Sequence, residues 1–312
     1  MADFGTMFGS QGGETFFGLP SCRDVADLDA HVAVLGAPAA TPYTSVGPYC
    51  ADGPSAMRAA MAGYATSLDH YDFDQEGRLL AEGGRAVDLG DVPWDAGDAA
   101  GNRSRIHEIV AAVLDRDTVP VVMGGDDSVP IPVLEAYAGR GPLTVLQVDA
   151  HIDWRDEVDG ERMGLSSTMR RASEMEHVTG IVQVGARAAG SARPGDLADA
   201  EAWGAKIIRA RTVHAEGMAR AIDRIPARAN VFISIDVDGL DPSVVPAVIG
   251  PSPGGLSHQQ VLELMHGVAA KAFIAGADVV ELMPSADVGG RGALVAARLV
   301  ANAIGLIVRQ RL

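Results

Sequence analysis

Three short acidic motifs carry the most suggestive chemistry in the chain, and each lies at the end of an apolar run. The first is Gly124-Gly125-Asp126-Asp127-Ser128, after Val119–Met123. The second is Asp149-Ala150-His151-Ile152-Asp153, after Leu143–Val148. The third, Ser234-Ile235-Asp236-Val237-Asp238-Gly239-Leu240-Asp241-Pro242, closes the run Val231–Ile235. Side chains alternate along an extended segment, so Asp149, His151 and Asp153 are expected to project to one side, and Asp236 and Asp238 to share a face. Burying unpaired carboxylates is costly, and a divalent cation is one way to neutralise them. Each motif also has a plainer reading. A GGDD turn alone reads as an ordinary loop, its glycines permitting a sharp exit from the strand and Ser128 capping the next turn. The second motif could be a solvated strand end. The third superficially resembles the start of a calcium-binding loop. A strand precedes it, however, and the required sixth-position glycine and twelfth-position acid are missing, which excludes an EF-hand.

Such motifs need a sheet that delivers strand tips to one edge. Candidate strands are His31–Gly36, Thr118–Met123, Leu143–Val148, Ile181–Gly185, Val231–Ile235 and Ala277–Leu282. Several are almost continuously apolar, as parallel strands covered on both faces are. Helical patterns lie between them at Ser55–Tyr64, Ser104–Leu114, Ser166–Met175, His258–Ala270 and Ala293–Arg309, with Ser257 placed to cap the fourth. The alternation implies an α/β fold, a three-layer sandwich with a mainly parallel central sheet flanked by helices. In such sheets ligands gather at the carboxyl ends of strands, where the motifs fall. No linker, low-complexity tract or internal repeat breaks the chain. Residues 1–20, with Gly12-Gly13 and several aromatics, read as an N-terminal arm, and residues 21–312 as one domain.

Composition narrows the partners. Hydrophobic residues make up 47% of the 312 and charged residues 21%, which suits a folded protein with a large core and excludes global disorder. A formal net charge of −16 argues against nucleic acid or an anionic membrane as a partner. An acidic surface suits a cationic substrate, but it is also a common solubility device. Cys22 and Cys50, with no CxxC or Cys/His cluster, point to a reduced, intracellular protein. Met1-Ala2-Asp3-Phe4 shows no signal-peptide pattern, and no stretch reaches the ~20 apolar residues that span a bilayer, so a cytoplasmic location is expected. No G-x-S-x-G elbow, Walker A loop or G-x-G-x-x-G fingerprint supports serine-hydrolase, P-loop or Rossmann chemistry.

Together, GGD-x-S, D-A-H-x-D and S-x-D-x-D-x-x-D-P, in this order and separated by tens of residues, strongly resemble the ureohydrolase family of arginases, agmatinases and related amidinohydrolases. Val279-Val280-Glu281-Leu282-Met283-Pro284 adds a fourth match, similar to the family's strand with a substrate-facing glutamate. The resemblance covers roughly residues 15 to 310 and looks closest to the bacterial agmatinase-like branch. It implies an arginase-like fold and two divalent ions, usually Mn²⁺ and sometimes Ni²⁺, sharing a hydroxide. By matching position, Asp149, His151, Asp153, Asp236 and Asp238 would be five of six ligands, with Asp153 also holding the hydroxide. Glu281 would pair with a substrate guanidinium and orient it. The implied reaction is hydrolysis of a small cationic guanidino compound to urea and an amine, since paired metals deliver a strong nucleophile at neutral pH. A homo-oligomer, trimer or hexamer, is implied too.

Two positions depart from the family pattern. The sixth ligand is usually a histidine, and that position holds Asp127. Five aspartates and one histidine form an oxygen-rich set that favours a hard ion such as Mn²⁺, with Ni²⁺ the alternative. The family also commonly carries a proton-shuttling His-Gly pair where this chain has Met163-Gly164. Asp159 and Glu161 are candidates for the vacated role. Two readings compete: an enzyme for agmatine or another guanidine, such as guanidinobutyrate, dimethylguanidine or a biguanide, or a weakly active or non-catalytic subunit of a mixed oligomer with a paralogous chain. Further substrate contacts are expected from Trp154, Met163 and Ser166, within or beside the Asp156–Ser167 loop, and from the arm. Trp94 is a weaker candidate. Arg170-Arg171 either meets a substrate carboxylate or lies on a solvated or subunit-contact face. The other histidines show no ligand spacing. Zinc deacetylases of a related fold use one catalytic metal, whereas the paired aspartate motifs here point to two.

Overall fold

The structure, a computed structural model, describes residues 14–41, 43, 45–190 and 192–312. Among these residues eight strands form one sheet: β1 (Val32–Ala37), β2 (Ala86–Asp91), β3 (Val119–Gly124), β4 (Leu143–Val148), β5 (Val178–Ala186), β6 (Lys206–Arg209), β7 (Asn230–Asp236) and β8 (Phe273–Val280). Every pairing is parallel, in the spatial order β2-β1-β3-β8-β7-β4-β5-β6. The helices are α1 (Gly53–Ala62), α2 (Ala99–Asp115), α3 (Pro130–Glu135), α4 (Thr168–Ser173), α5 (Pro194–Trp203), α6 (Ala210–Glu216), α7 (Ala219–Ile222), α8 (His258–Lys271) and α9 (Arg291–Arg311).

The apolar strands are apolar because both faces are covered. On one face Met57 and Met61 of α1, Val213 of α6, Leu264 and Met265 of α8 and Ile304 of α9 pack with Val121, Val148, Ile233, Ile235 and Val279. On the other, Ile106 and Val110 of α2, Leu134 of α3, Met169 of α4 and Ala200 of α5 pack with Leu35, Val122, Val145, Ile181 and Phe232. The period of two is visible within β4, where Leu146 and Val148 enter the first core and Leu143 and Val145 the second. The three-layer sandwich expected from the sequence is the fold observed. Ser257 caps α8 as expected, accepting from the Gln260 amide while the Gln260 side chain accepts from the Ser257 amide.

Two strands and four helices escape the sequence reading. β2 and β6 are the outer strands of the sheet; β2 is broken by Asp88 and Gly90, and β6 has only Ile207 and Ile208 between Lys206 and Arg209, patterns common at sheet edges. Helix α3 holds two prolines, and α6 and α7 are at most seven residues long. Helix α5 had a readable signature in Pro194 at its first turn and Gly204 in the left-handed region beyond its end. The region read as one helix over Ser166–Met175 is a 3₁₀ turn, Leu165–Ser167, followed by α4. Although the sequence reading found no stretch able to span a bilayer, α9 is long and apolar enough by length and composition. Its Leu299, Val300, Ile304 and Val308 are buried in the first core. Residues 1–13 of the expected arm lie outside the described residues. Phe16, Phe17 and Leu19 are buried in the first core, and the Phe16 amide donates to Asp88 Oδ2 at 2.6 Å.

The topology brings the motifs together. β3, β8, β7 and β4 are neighbours in the sheet although they are far apart in the chain. Their register aligns Met123, Val279, Ile235 and Val148 in one row. The acidic residues of all four motifs follow within a few residues of this row, so all four emerge at the same edge.

Candidate metal centre

At that edge, Asp127, Asp149 and Asp236 each offer a carboxylate oxygen, and these atoms lie within 4.8 Å of one another. A second triad, formed by Asp149, His151 and Asp238, meets the same limit. Asp149 is common to both. Asp153 lies outside both triads but beside Asp149, because the Gln147 amide nitrogen donates to Asp149 Oδ2 at 2.7 Å and to Asp153 Oδ2 at 2.8 Å.

The side chains converge by a route other than strand alternation. Asp149 Oδ1 accepts the amide of His151 at 2.5 Å, and Asp236 Oδ1 accepts the amide of Asp238 at 2.7 Å. Each motif therefore leaves the strand in an Asx turn, the first carboxylate folding the backbone around itself. Asp153 sits at φ +43° and Glu281 at φ +66°, both in the left-handed region that β-carbons disfavour. Such strain persists where surrounding structure imposes it, and it concentrates at functional positions. The glycines of the first motif are needed for space rather than for an unusual turn. A β-carbon at Gly125 would stand 2.0 Å from the Pro38 carbonyl oxygen. Ser128 does not cap the next helix with its side chain. Its hydroxyl donates instead to Asp126 Oδ1 at 2.5 Å.

The site is rich in acceptors and poor in donors. Asp127 is buried, and among the described residues neither of its carboxylate oxygens has a hydrogen-bond partner. Burial, reinforced by neighbouring carboxylates, raises Asp127, Asp149, Asp153 and Asp236 above the ordinary aspartate range. His151 Nδ1 stands 3.3 Å from Asp149 Oδ1 and 3.0 Å from Asp238 Oδ2. Burial alone would lower this imidazole, but the bonds to Asp149 and Asp238 push it up to about 12. Without an ion, a protonated ring supplies part of the positive charge the cluster lacks. Two divalent cations would take the place of that proton, since a ligating imidazole is neutral, and an orphaned buried carboxylate such as Asp127 is what a cation site looks like without its ion. The donor set fits.

Glu281 borders the first triad. Its Oε1 accepts the Asp127 amide at 2.9 Å, and Tyr49 Oη lies 2.6 Å from Oε1 and 2.7 Å from Oε2. Burial, with the charge of Asp126, raises its carboxyl to about 8. A network absent from the sequence reading supports the cluster from below. Gln183 donates to Gln147 Oε1 at 2.6 Å and to the Ile152 carbonyl at 2.8 Å, holding Gln147 against the two aspartates. Arg187 donates to the carbonyls of Asp238, Gly239, Leu240 and Ser252, clamping the turn that presents Asp238. Two polar residues inside the near-apolar runs of β4 and β5 were the available signal for Gln147 and Gln183.

Other expected residues fall elsewhere. The Trp154 ring is buried in the second core, its centroid 6.0 Å from that of Trp203, so it supports the site from behind instead of lining a pocket. Met163 and Ser166 are half-buried in the loop beyond it, where the Met163 amide donates to Glu161 Oε1 and the Ser166 carbonyl accepts from the Arg155 amide. Glu161 is thereby tied to its own loop, and Asp159 is exposed at a turn. Arg171 is buried and pairs with Asp156 at 2.7 Å, and Arg170 reaches Glu174 at 3.4 Å. These arginines brace the loop and do not point a free charge at a substrate.

Comparison with known proteins places the chain. The sequence profile of the Arginase family matches residues 30–305. "Arginase 1, mitochondrial" of Arabidopsis thaliana is 34% identical over 72% of this chain and 68% of that protein. An N(1)-aminopropylagmatine ureohydrolase of Thermus thermophilus is 36% identical over 69% and 71%, and the mitochondrial agmatinase of Gallus gallus 31% over 90% and 82%. Among solved structures, proclavaminate amidino hydrolase from Streptomyces clavuligerus superimposes with a TM-score of 0.85 at 26% identity, covering 96% of this chain and 98% of that one. Formimidoylglutamases are also among the relatives. A parallel sheet, an acidic cluster at four adjacent strand tips and a family match over nearly the whole chain converge: this protein belongs to the arginase family, the ureohydrolases, which are hydrolases of amidino C–N bonds.

Proposed function

We propose that the chain hydrolyses a small cationic guanidino compound to urea and an amine, in the manner of an agmatinase. The observation that carries this is the pair of triads sharing Asp149, with the buried carboxylate of Glu281 beside them. Asp127, Asp149, His151, Asp153, Asp236 and Asp238 would hold two divalent ions. Such a pair supplies Lewis acidity and lowers the pKa of water enough for attack at neutral pH. Around it the chain's own groups act on the substrate. Glu281 binds the guanidinium and turns its carbon toward the cluster. Asp153, fixed by the Gln147 amide, accepts a hydrogen bond from the attacking water and orients it.

The oxygen-rich ligand set supports Mn²⁺ over Ni²⁺. The relatives' substrates differ, so the tail of the substrate is left to assay: agmatine, arginine, guanidinobutyrate, guanidine, dimethylguanidine and a biguanide, each with Mn²⁺ and with Ni²⁺, measured by urea release. No urea from any of them by metal-loaded protein would refute the proposal. A metal content near one per chain instead of two would favour single-metal chemistry. One observation favours a second reading, a weakly active subunit of a mixed oligomer. Met163 offers no proton for the leaving amine, and neither Asp159 nor Glu161 is placed to replace it.

A further inference from the structure

Glu281 is already engaged on both oxygens before any substrate arrives. Tyr49 Oη is nearly equidistant from them, at 2.6 and 2.7 Å. A point equidistant from both oxygens lies on the plane that bisects the carboxylate. The two N–H groups of a guanidinium fork converge across that same plane. The Asp127 amide already occupies a further acceptor position on Oε1. A bidentate guanidinium and the Tyr49 hydroxyl therefore compete for one place.

The partners of that competition are unequal. A phenol carries one proton, so it can serve only one of the two carboxylate oxygens at a time and leaves the other facing a lone pair. A guanidinium brings an N–H to each, together with a positive charge. Glu281 is also the fixed member. It is 4% exposed, its amide donates to the Gly125 carbonyl at 2.8 Å, and its backbone is held at φ +66°. Tyr49 is only partly buried, in the turn that leads from residue 45 to α1. If one of them moves, it is Tyr49.

We propose that Tyr49 is a displaceable gate over Glu281 and thereby a specificity-determining residue. Its hydroxyl holds the guanidinium position against Glu281 and swings aside when a substrate fork pairs with the carboxylate. This rests on the reading of Glu281 as the guanidinium partner. The gate disfavours ligands that offer a guanidinium and nothing more. It favours substrates whose tails find other contacts to offset the displaced hydrogen bond.

Guanidinium ion itself is the probe, titrated by calorimetry into Mn²⁺-loaded wild-type protein, Tyr49→Phe, Tyr49→Ala, and the double variant Tyr49→Phe/Glu281→Gln. Urea release from the guanidino panel is measured in parallel. Tyr49→Phe should bind guanidinium about tenfold more tightly, the worth of one hydrogen bond to a charged group. It should also lower KM for guanidino substrates by a similar factor with kcat little changed. Tyr49→Ala should move in the same direction, and the gain should vanish in the double variant. Binding by Tyr49→Phe that is equal to or weaker than wild type, or undetectable in both, overturns the gate. The first outcome would make Tyr49 a support for the carboxylate and not its competitor. Absence of urea from every protein, with guanidinium binding still tightened by Tyr49→Phe, would remove the hydrolase reading and leave the gate standing.

Discussion

The pH dependence of stability, with and without metal, tests the acidic cluster most directly. In the metal-free protein the perturbed acids of the cluster hold protons more tightly than they do in the unfolded chain. Asp278, buried under the cluster with one oxygen unpartnered among the described residues, is raised from 3.8 to about 7 by burial, against the Ser234 hydroxyl that lowers it. His151 is raised from 6.5 to about 12, and Asp127, Asp149, Asp153 and Asp236 shift upward too. The sign is the same for all of them. A raised folded-state pKa gives stability that is complete below the unfolded value and is lost as pH rises toward the folded one, at about 1.4 kcal/mol per proton per pH unit. Between pH 5.5 and 8.5, Asp278 contributes its loss up to about pH 7 and His151 its loss from about 6.5 upward. Together they account for roughly 5 kcal/mol, or on the order of 8 °C in Tm for a chain of this size. Metal ions reverse the trend, because ligands must shed protons to bind them. Each ion at 100 times its Kd adds about 2.7 kcal/mol. Calorimetric Tm values should therefore fall with pH for chelator-stripped protein, and the increment given by excess Mn²⁺ should widen. Stripped protein that gains stability as pH rises, or an Mn²⁺ increment that is the same at every pH, would refute the charge assignment.

Three substitutions probe the site piece by piece. Asp149→Asn removes the carboxylate common to both triads, so metal content by mass spectrometry should drop from about two ions per chain to nearly none; Asp238→Asn should spare one ion. Gln147→Leu strips two aspartates of a shared donor and takes from Gln183 one of its two acceptors, leaving it the Ile152 carbonyl. It should reduce urea release or metal affinity about 10–100-fold and cost about 1–3 kcal/mol in denaturant unfolding, while full activity would show that the glutamines are mere filler. Asp127→His replaces a hard ligand by imidazole and should shift the preference from Mn²⁺ toward Ni²⁺ in competition binding. An unchanged ratio would mean that Asp127 is not a ligand.

The fold class and the acidic cluster were legible in the sequence because both arise from strong local signals. Continuous apolar runs identify strands buried on two faces, and acids directly beyond such runs stand out against them. The geometry by which they meet was not legible. Alternation along an extended strand predicted the right neighbours for Asp149 and His151, but the observed device is an Asx turn, which depends on a carboxylate choosing its own backbone over solvent. Gln147 and Gln183 pass unnoticed in a sequence, since their meaning lies in the pairing of β4 with β5. Tyr49 and Glu281 are 232 residues apart, and no local pattern joins them. The direction of Trp154 was illegible for a related reason. Being adjacent to Asp153 says nothing about direction, and its ring turns toward Trp203 in the core.

The order of the strands bears on assembly. β8, the last of the eight strands in chain order, lies in the middle of the sheet, between β3 and β7. Without β8 the sheet would divide into two half-sheets, one ending in β3 with Asp127 and the other carrying β7 and β4 with the remaining acids. Only Asp127 is kept from the other acids by that division, because Asp149, Asp153, Asp236 and Asp238 already share the half built on β4 and β7. Closing so many long-range contacts at once is slow, and a cation captured at that moment would seal the two halves along the seam that β8 fills.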